Sequence, residues 1–375
     1  MRSQLSLVLF LAGALAAQEP AKRARDLGIP FDGTPGKHNA ITDVAGVLVG
    51  HTTVVAGAGK KAVRTGVTAV FANAEVHSRR AAFHRHNGDG EVTGTHFIEE
   101  RGLLLSPIMI TNTISVPDVG GALIRWSIKN DKVRKINLPV VAETWDGYLN
   151  DIYGFHVSRE HVYAALDGAK PGPVAEGNVG GGTGMICHGF KGGIGTSSRV
   201  ISKRGGGHTL GVLVQANHGR RRDLRVAGVP VWQALEAARK GESGREERPD
   251  EDDGSIIVVV ATDAPLMPLQ LQRILRRVAM GLARNGSYSS THSGDMFLAF
   301  TTAPVADKDR RMQHAEFVAD GVIDHLFAAA VQATEEAIIN AMIAAATMTG
   351  KDGHVIERIP HEPLREVLRK HGRLR

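Results

Sequence analysis

A serine at the head of an apolar run is the first place in this sequence where chemistry is conceivable. Ser255 follows Gly254 in DEDDGSIIVVVATDAPL (residues 250–266), where four acidic residues give way without a spacer to β-branched residues. On residue types alone this is a charged surface loop ending at a strand, because Gly-Ser pairs are common in loops. A second reading comes from reactivity. If the Gly254–Ser255 bond is cut, Ser255 carries both a hydroxyl and a free α-amine, whose unperturbed pKa near ~7.7–8 suits it to serve as base for its own side chain. The same hydroxyl could make the cut, attacking a carbonyl that Gly254 leaves unhindered to give an ester that water hydrolyses.

A second cluster is SGD. Ser293 and Asp295 share one face if the segment is extended, which would let a hydroxyl and a carboxylate converge on Ser255; the plainer reading is a turn before the strand MFLAF. Other motifs lead away from cofactors. GNVGGGTG (177–184) lacks the Lys-Ser/Thr of a phosphate loop and is expected to be a glycine turn lining the site, and GFKGGIG (189–195) is read as a second tight glycine turn. HNGDGEVTGTHFIEE (86–100) does not fit a calcium loop at its glycine and terminal-glutamate positions. The single cysteine, Cys187, allows no intrachain disulfide and has no fixed metal-ligand spacing, so it is expected to be a small core residue. No metal and no cofactor are expected.

The elements that must position these residues are short strands and helices in mixture. Strand-like runs occupy 47–55, 65–72, 106–114, 208–217, 255–263 and 296–303, each apolar or β-branched and bounded by Gly, Pro, Asp or Asn. Helical periodicity marks 266–286, where Leu271, Ile274, Leu275, Val278 and Leu282 share a face and Gly286 ends it. Residues 316–349 hold more apolar side chains than one face needs and read as one long core helix or two consecutive ones. Together these predict one layered α/β domain. The stretch 240–254 has no apolar side chain and reads as an exposed connection open to proteolysis.

Composition excludes several classes. The chain has 375 residues, 42% apolar and 22% charged, with a formal charge of +6, which suits a globular protein rather than a disordered or fibrous one. Its basic patches, HSRRAAFHRH (77–86) and HGRRRDLR (218–225), have few aromatics between them and are read as solvated surface, so no nucleic-acid partner is expected. MRSQLSLVLFLAGALAAQEP has an early arginine, an apolar run and small residues at Ala14, Ala16 and Ala17, the layout of a secretory signal peptide over residues 1–17. Export to a bacterial periplasm or beyond follows, with no membrane attachment after signal removal.

Taken in order, GNVGGGTGM (177–185), GFKGGIGTSS (189–198), VQANHGRR (214–221), DDGSIIVVVATDAPLMPLQLQRI (252–274), THSGDMFLAFTT (291–302) and ATEEAIINAMIAAATMTGKDGH (333–354) resemble the P1 (S58) peptidase family, the L-aminopeptidase/D-esterase/amidase group with its β-aminopeptidase relatives. The similarity runs from about Asn39 to His361. It implies an αββα sandwich of the N-terminal-nucleophile type and a precursor that cleaves itself between Gly254 and Ser255. The large chain would be 18–254 and the small chain 255–375 of the same domain, assembled as a homotetramer of processed heterodimers. By the same resemblance Ser255 is the nucleophile, Asn217 holds the oxyanion, Ser293 supports the nucleophile, and Asp295 stands where the family usually has glutamate. Glu143, in VAETWDGYLND (141–151), matches an acidic residue that receives the substrate's free ammonium. Trp145, with Tyr148 nearby, stands closest to a tyrosine found in many members. The implied substrates are small peptides, amides or esters. An acyltransferase on the same fold and a processed, non-catalytic binding protein are the alternatives.

Overall fold

The computed structural model describes residues 22–133, 138–239, 254–305 and 314–374. The expected leader (1–17) and the acidic stretch up to residue 253 lie outside the described residues. In the first half the main elements are β1 (Leu48–Ala56), β2 (Val63–Phe71), β3 (Arg79–Gly88), α1 (Thr95–Arg101), β4 (Leu103–Leu104), β5 (Ile108–Asn112), α2 (Val116–Lys129), β6 (Val140–Thr144) and α3 (Arg159–Asp167). In the second they are β7 (Gly193–Val200), β8 (Thr209–Asn217), α4 (Trp232–Arg239), β9 (Ser255–Thr262), α5 (Pro268–Arg284), β10 (Gly294–Thr301), α6 (Asp320–Ile343) and α7 (His361–Lys370).

Period-two alternation explains how these elements layer. Along β9, Ile257, Val259 and Ala261 join a core with Ile108, Ile110, Val140 and Ala142 of the other sheet. Ile256, Val258 and Val260 join a different core with Leu271, Ile274, Leu275 and Val278 of α5 and with the buried face of α6. A third core packs Val67, Ala69, Met109 and Val141 against α2 and α3. The result is an αββα sandwich. One sheet has the order β1-β2-β5-β6 and the other β4-β3-β10-β9-β8-β7. In the larger sheet β9 and β10 run parallel, and the remaining pairs are antiparallel.

All eight residues of β9 are buried, and an apolar side chain taken fully out of water contributes about 1.5–3 kcal/mol. Ser255 is therefore anchored to one of the most firmly held strands in the molecule. The expected strands are all found, with ends shifted by a residue or a few. Two segments differ. Residues 77–86, read as solvated basic surface, contain most of β3, whose Ala81, Ala82 and Phe83 are buried together with Arg80; the charged ends concealed a small apolar centre. GFKGGIG opens β7, because glycines let helix α6 approach closely: a Cβ on Gly195 would meet the Ala337 carbonyl at 2.0 Å. Of the two readings of 316–349 the single helix is found: α6 covers 24 of its residues, Asp320–Ile343, buried on most sides against β7, β8 and α5.

Candidate active site

Backbone register brings the first pair together. Ser255 opposes Asn217 in the antiparallel β8–β9 ladder, so their side chains project from the same face. Gly254 is packed so tightly that an added Cβ would lie 1.8 Å from the Asn217 carbonyl oxygen, which explains glycine there on packing grounds alone. The Ser255 hydroxyl accepts a hydrogen bond from the backbone N–H of Gly294 at 3.0 Å.

Asn217 is held at both ends. Its Oδ1 accepts from the Ile186 N–H at 2.8 Å, and its Nδ2 donates to the Trp145 carbonyl at 3.0 Å. An amide nitrogen carries two hydrogens, so among the described residues one of them is not committed to the Trp145 carbonyl. The Ile186 N–H fixes which end of the amide is the donor. Ile186 belongs to the turn that follows the glycine segment, and that turn is cross-linked by the fully buried Lys191. Its Nζ donates to the carbonyls of Met185 at 2.7 Å, Gly192 at 2.9 Å and Gly182 at 3.4 Å. Burial pushes the Lys191 ammonium down to about 7, against the smaller opposing pull of Cys187 and Asp146. Asp146 is pushed up to about 7 by burial, despite hydrogen bonds from Thr65, Asn150 and Asn112.

Ser293 and Asp295 flank Gly294. The Ser293 hydroxyl donates to Asp295 Oδ1 at 2.7 Å, and both residues are buried. Asp295 pairs with Ile256 in the parallel ladder, one step along from Ser255. A β-bulge on β3 faces this point, between Asp295 and Met296, the kind of irregularity that re-aims side chains near sites.

Glu143 comes from the other sheet. It is 3% exposed; its Oε1 accepts from the Glu91 N–H at 2.8 Å and its Oε2 from the Thr113 hydroxyl. Burial raises its carboxyl above the ordinary 4.5, opposed by those two hydrogen bonds and reinforced by the carboxylates of Glu91 and Asp89. Gly90 connects this acid to the serine's surroundings, since a Cβ there would lie 3.0 Å from Glu143 Oε1 and 3.4 Å from Gly294 Cα. Asp89, Glu91 and Thr113 were not singled out in the sequence. The only signal was the run HNGDGE, two acids around a glycine.

The two aromatics part company. Trp145 presents its backbone carbonyl to Asn217, and its side chain is 40% exposed. Tyr148 stacks on His354 with ring centres 4.2 Å apart. The glycine segment forms a buried turn between the sheets, where a Cβ on Gly181 would strike Gln215 Oε1 at 2.2 Å. It supports the site from behind. In HGRRRDLR, Arg221 pairs with Glu236 at 2.9 Å and covers the Phe190 ring, so that patch is not free charge.

Such a grouping, a buried hydroxyl at a strand start with a fixed amide donor and a carboxylate across the sheets, suits acyl transfer on a substrate bearing a cation. A family model for peptidase family S58 matches residues 39–356. The chain is 49% identical to the beta-peptidyl aminopeptidase BapA of Sphingosinicella microcystinivorans, over 98% of this chain and 96% of that one. It is 46% identical to the protein of the same name from Sphingosinicella xenopeptidilytica, over 97% and 95%. Among solved structures, the L-aminopeptidase D-Ala-esterase/amidase of Ochrobactrum anthropi, described as a variant of the Ntn hydrolase fold, superposes with a TM-score of 0.85 at 46% identity, over 94% of this chain and 99% of that one. A Burkholderia sp. beta-aminopeptidase gives the same four values.

Proposed function

Because this chain belongs to peptidase family S58, whose named relatives are aminopeptidases, we propose that it is a self-processed serine aminopeptidase acting through an ester on Ser255. The observation that carries the reading is the Ser255 hydroxyl, in register with Asn217 and hydrogen-bonded to the Gly294 N–H. In processing, Ser255 Oγ adds to the Gly254 carbonyl carbon, the C–N bond breaks, and the peptide nitrogen takes the hydroxyl proton and becomes the Ser255 amine. Water then hydrolyses the Gly254 ester and restores the hydroxyl.

In turnover the amine accepts the hydroxyl proton as Oγ attacks the substrate carbonyl. Asn217 Nδ2 donates to the oxyanion, and the proton passes to the departing amine. Water, deprotonated by the same α-amine, releases the acid product from the ester. Glu143 receives the substrate's free ammonium, and Ser293 with Asp295 holds the neighbourhood of the nucleophile. No step needs a metal. We further assign residues 1–17 to an export signal, the mature protein to the periplasm or exterior, and the assembly to a tetramer of processed heterodimers.

The names of the relatives make peptides and anilides of β-amino acids the first substrates to try, beside those of L- and D-α-amino acids. The deciding experiment is the masses of purified protein with an N-terminal read of the smaller fragment, followed by anilide hydrolysis. A fragment beginning at Ser255 and amine-dependent hydrolysis are expected. A single uncut chain, or a cut Ser255→Ala variant, overturns self-processing.

A further inference from the structure

Behind Asn217 lies a group the reaction does not use. Cys187 and His188 sit on a tight hairpin, Ile186–Cys187 pairing with Phe190–Lys191, and His218 follows Asn217 at the end of β8. One ligand atom from each of Cys187, His188 and His218 lies within 4.8 Å of the other two, and all three residues are buried. Cys187 Sγ and His218 Nδ1 are 3.9 Å apart. The His188 and His218 rings meet edge to face at 5.4 Å.

We propose that Cys187, His188 and His218 form a binding site for a borderline-soft divalent cation, Zn²⁺ in the first instance. Zinc at about 2.3 Å from sulfur and about 2.0–2.1 Å from nitrogen, in tetrahedral geometry, sets sulfur and nitrogen ligands about 3.6 Å apart. The observed 3.9 Å needs a contraction of only a few tenths of an ångström. The donor set, one thiol and two imidazoles with no carboxylate, disfavours calcium and magnesium.

Two further features suit the cluster to a cation. His188 Nδ1 lies 3.0 Å from the Arg220 carbonyl; donating there leaves Nε2 to carry the lone pair, the outer-shell bond typical of metal-bound histidine. His188 also has φ +47° at the hairpin tip, followed by Gly189 at +68°. Glycine and asparagine are the residues favoured at such positions, so a histidine is held there at a conformational cost. On binding, the Cys187 thiol gives its proton to solvent, the thiolate and two nitrogens enter the coordination shell, and water takes the fourth place. The His188 N–H donates to the His218 carbonyl at 2.7 Å, so an occupied site ties the hairpin more firmly to the strand end that carries Asn217.

The test is binding to the full-length chain, independent of activity. Chelator-stripped protein is loaded with Zn²⁺ or Co²⁺ both at equilibrium and during refolding, so that access to a buried site does not limit the result. One equivalent per chain, a thiolate-to-cobalt charge-transfer band and a rise in Tm with Zn²⁺ are expected. His188→Asn, an exchange suited to the left-handed turn, should weaken Zn²⁺ binding at least about tenfold, and Cys187→Ser should abolish the cobalt band. Absence of that band in the parent chain, or stoichiometric Zn²⁺ retained in both variants, overturns the proposal.

Discussion

Two buried glutamates in this molecule are treated in opposite ways. Glu336, on α6, is fully buried and ion-paired to Arg25 at 2.7 Å and Arg199 at 2.8 Å, with Asn39 donating a further bond. Burial disfavours its charge, but those partners outweigh it and hold the carboxyl below the ordinary 4.5. Glu143 is almost as buried, yet among the described residues its hydrogen bonds come from a hydroxyl and a backbone N–H, and its carboxyl is raised. The first acid is neutralised from within the chain. The second has no cationic partner among the described residues, as the proposed role of receiving a substrate's ammonium requires.

The contrast is broken most severely at Glu336. Replacing it with Gln leaves Arg199 buried without its partner, and losing one side of a buried pair costs about 3–5 kcal/mol; urea unfolding of Glu336→Gln should show that loss with the catalytic constants little changed in the folded protein. Asn217→Ala is the counterpart at the site. It should lower kcat about 10²–10³-fold with a smaller change in KM, and a loss confined to KM would remove Asn217 from the oxyanion role.

Glu143→Gln sharpens the comparison. Losing a charge-assisted bond worth about 1.5–3 kcal/mol should lower kcat/KM about 10–100-fold for substrates with a free amine and spare N-blocked ones. Equal losses on both would end the assignment. The two acids also differ in pH linkage. Stability from Glu336 is present above its unfolded 4.5 and is lost as pH falls through its lower folded value. Glu143, raised in the fold, withdraws stability as pH climbs from 4.5 through its folded value. Thermal unfolding from about pH 2 to 8 should therefore lose its acid-side decline partly in Glu336→Gln, while Glu143→Gln should gain stability at the upper end.

The smallest effect is expected at Asp295. It pairs with Ile256, one step from the nucleophile, and its negative charge should raise the pKa of a free Ser255 amine. Asp295→Asn should move the acidic limb of kcat/KM to lower pH by about one unit. A limb that stays in place in an active variant would confine the support of the nucleophile to Ser293.

Which parts of this were legible follows from how local their causes are. The run SIIVVVATD announced a buried strand starting at Ser255, and the spacing of Leu271 to Leu282 announced α5, because period and composition act within a few residues. β3 was hidden because Arg79, Arg80, Arg85 and the histidines dominate its composition, while the sheet uses the small residues between them. Lys191 was read as part of a glycine turn. Its partners are backbone carbonyls, which leave no mark in a sequence. Glu143 stood out by resemblance, but Thr113 and Glu91, which orient it, meet it only through pairing between distant segments. The Cys187–His188–His218 group escaped for the same reason, since its third member is thirty residues further on.

The order of the larger sheet, β4-β3-β10-β9-β8-β7, bears on what happens after a cut at Gly254–Ser255. The two central strands would belong to one fragment and the two flanking pairs to the other, interleaved like a tongue between two boards. Neither fragment then contains the larger sheet complete. The uncut chain refolds in a first-order process, indifferent to dilution, whereas the severed halves, once separated by denaturant, must find each other by collision. Renaturation of the mature protein should slow on dilution and show hysteresis that the precursor lacks. A single hydrolysed bond would thus convert a reversible folding unit into one that is durable chiefly because its parts do not come apart.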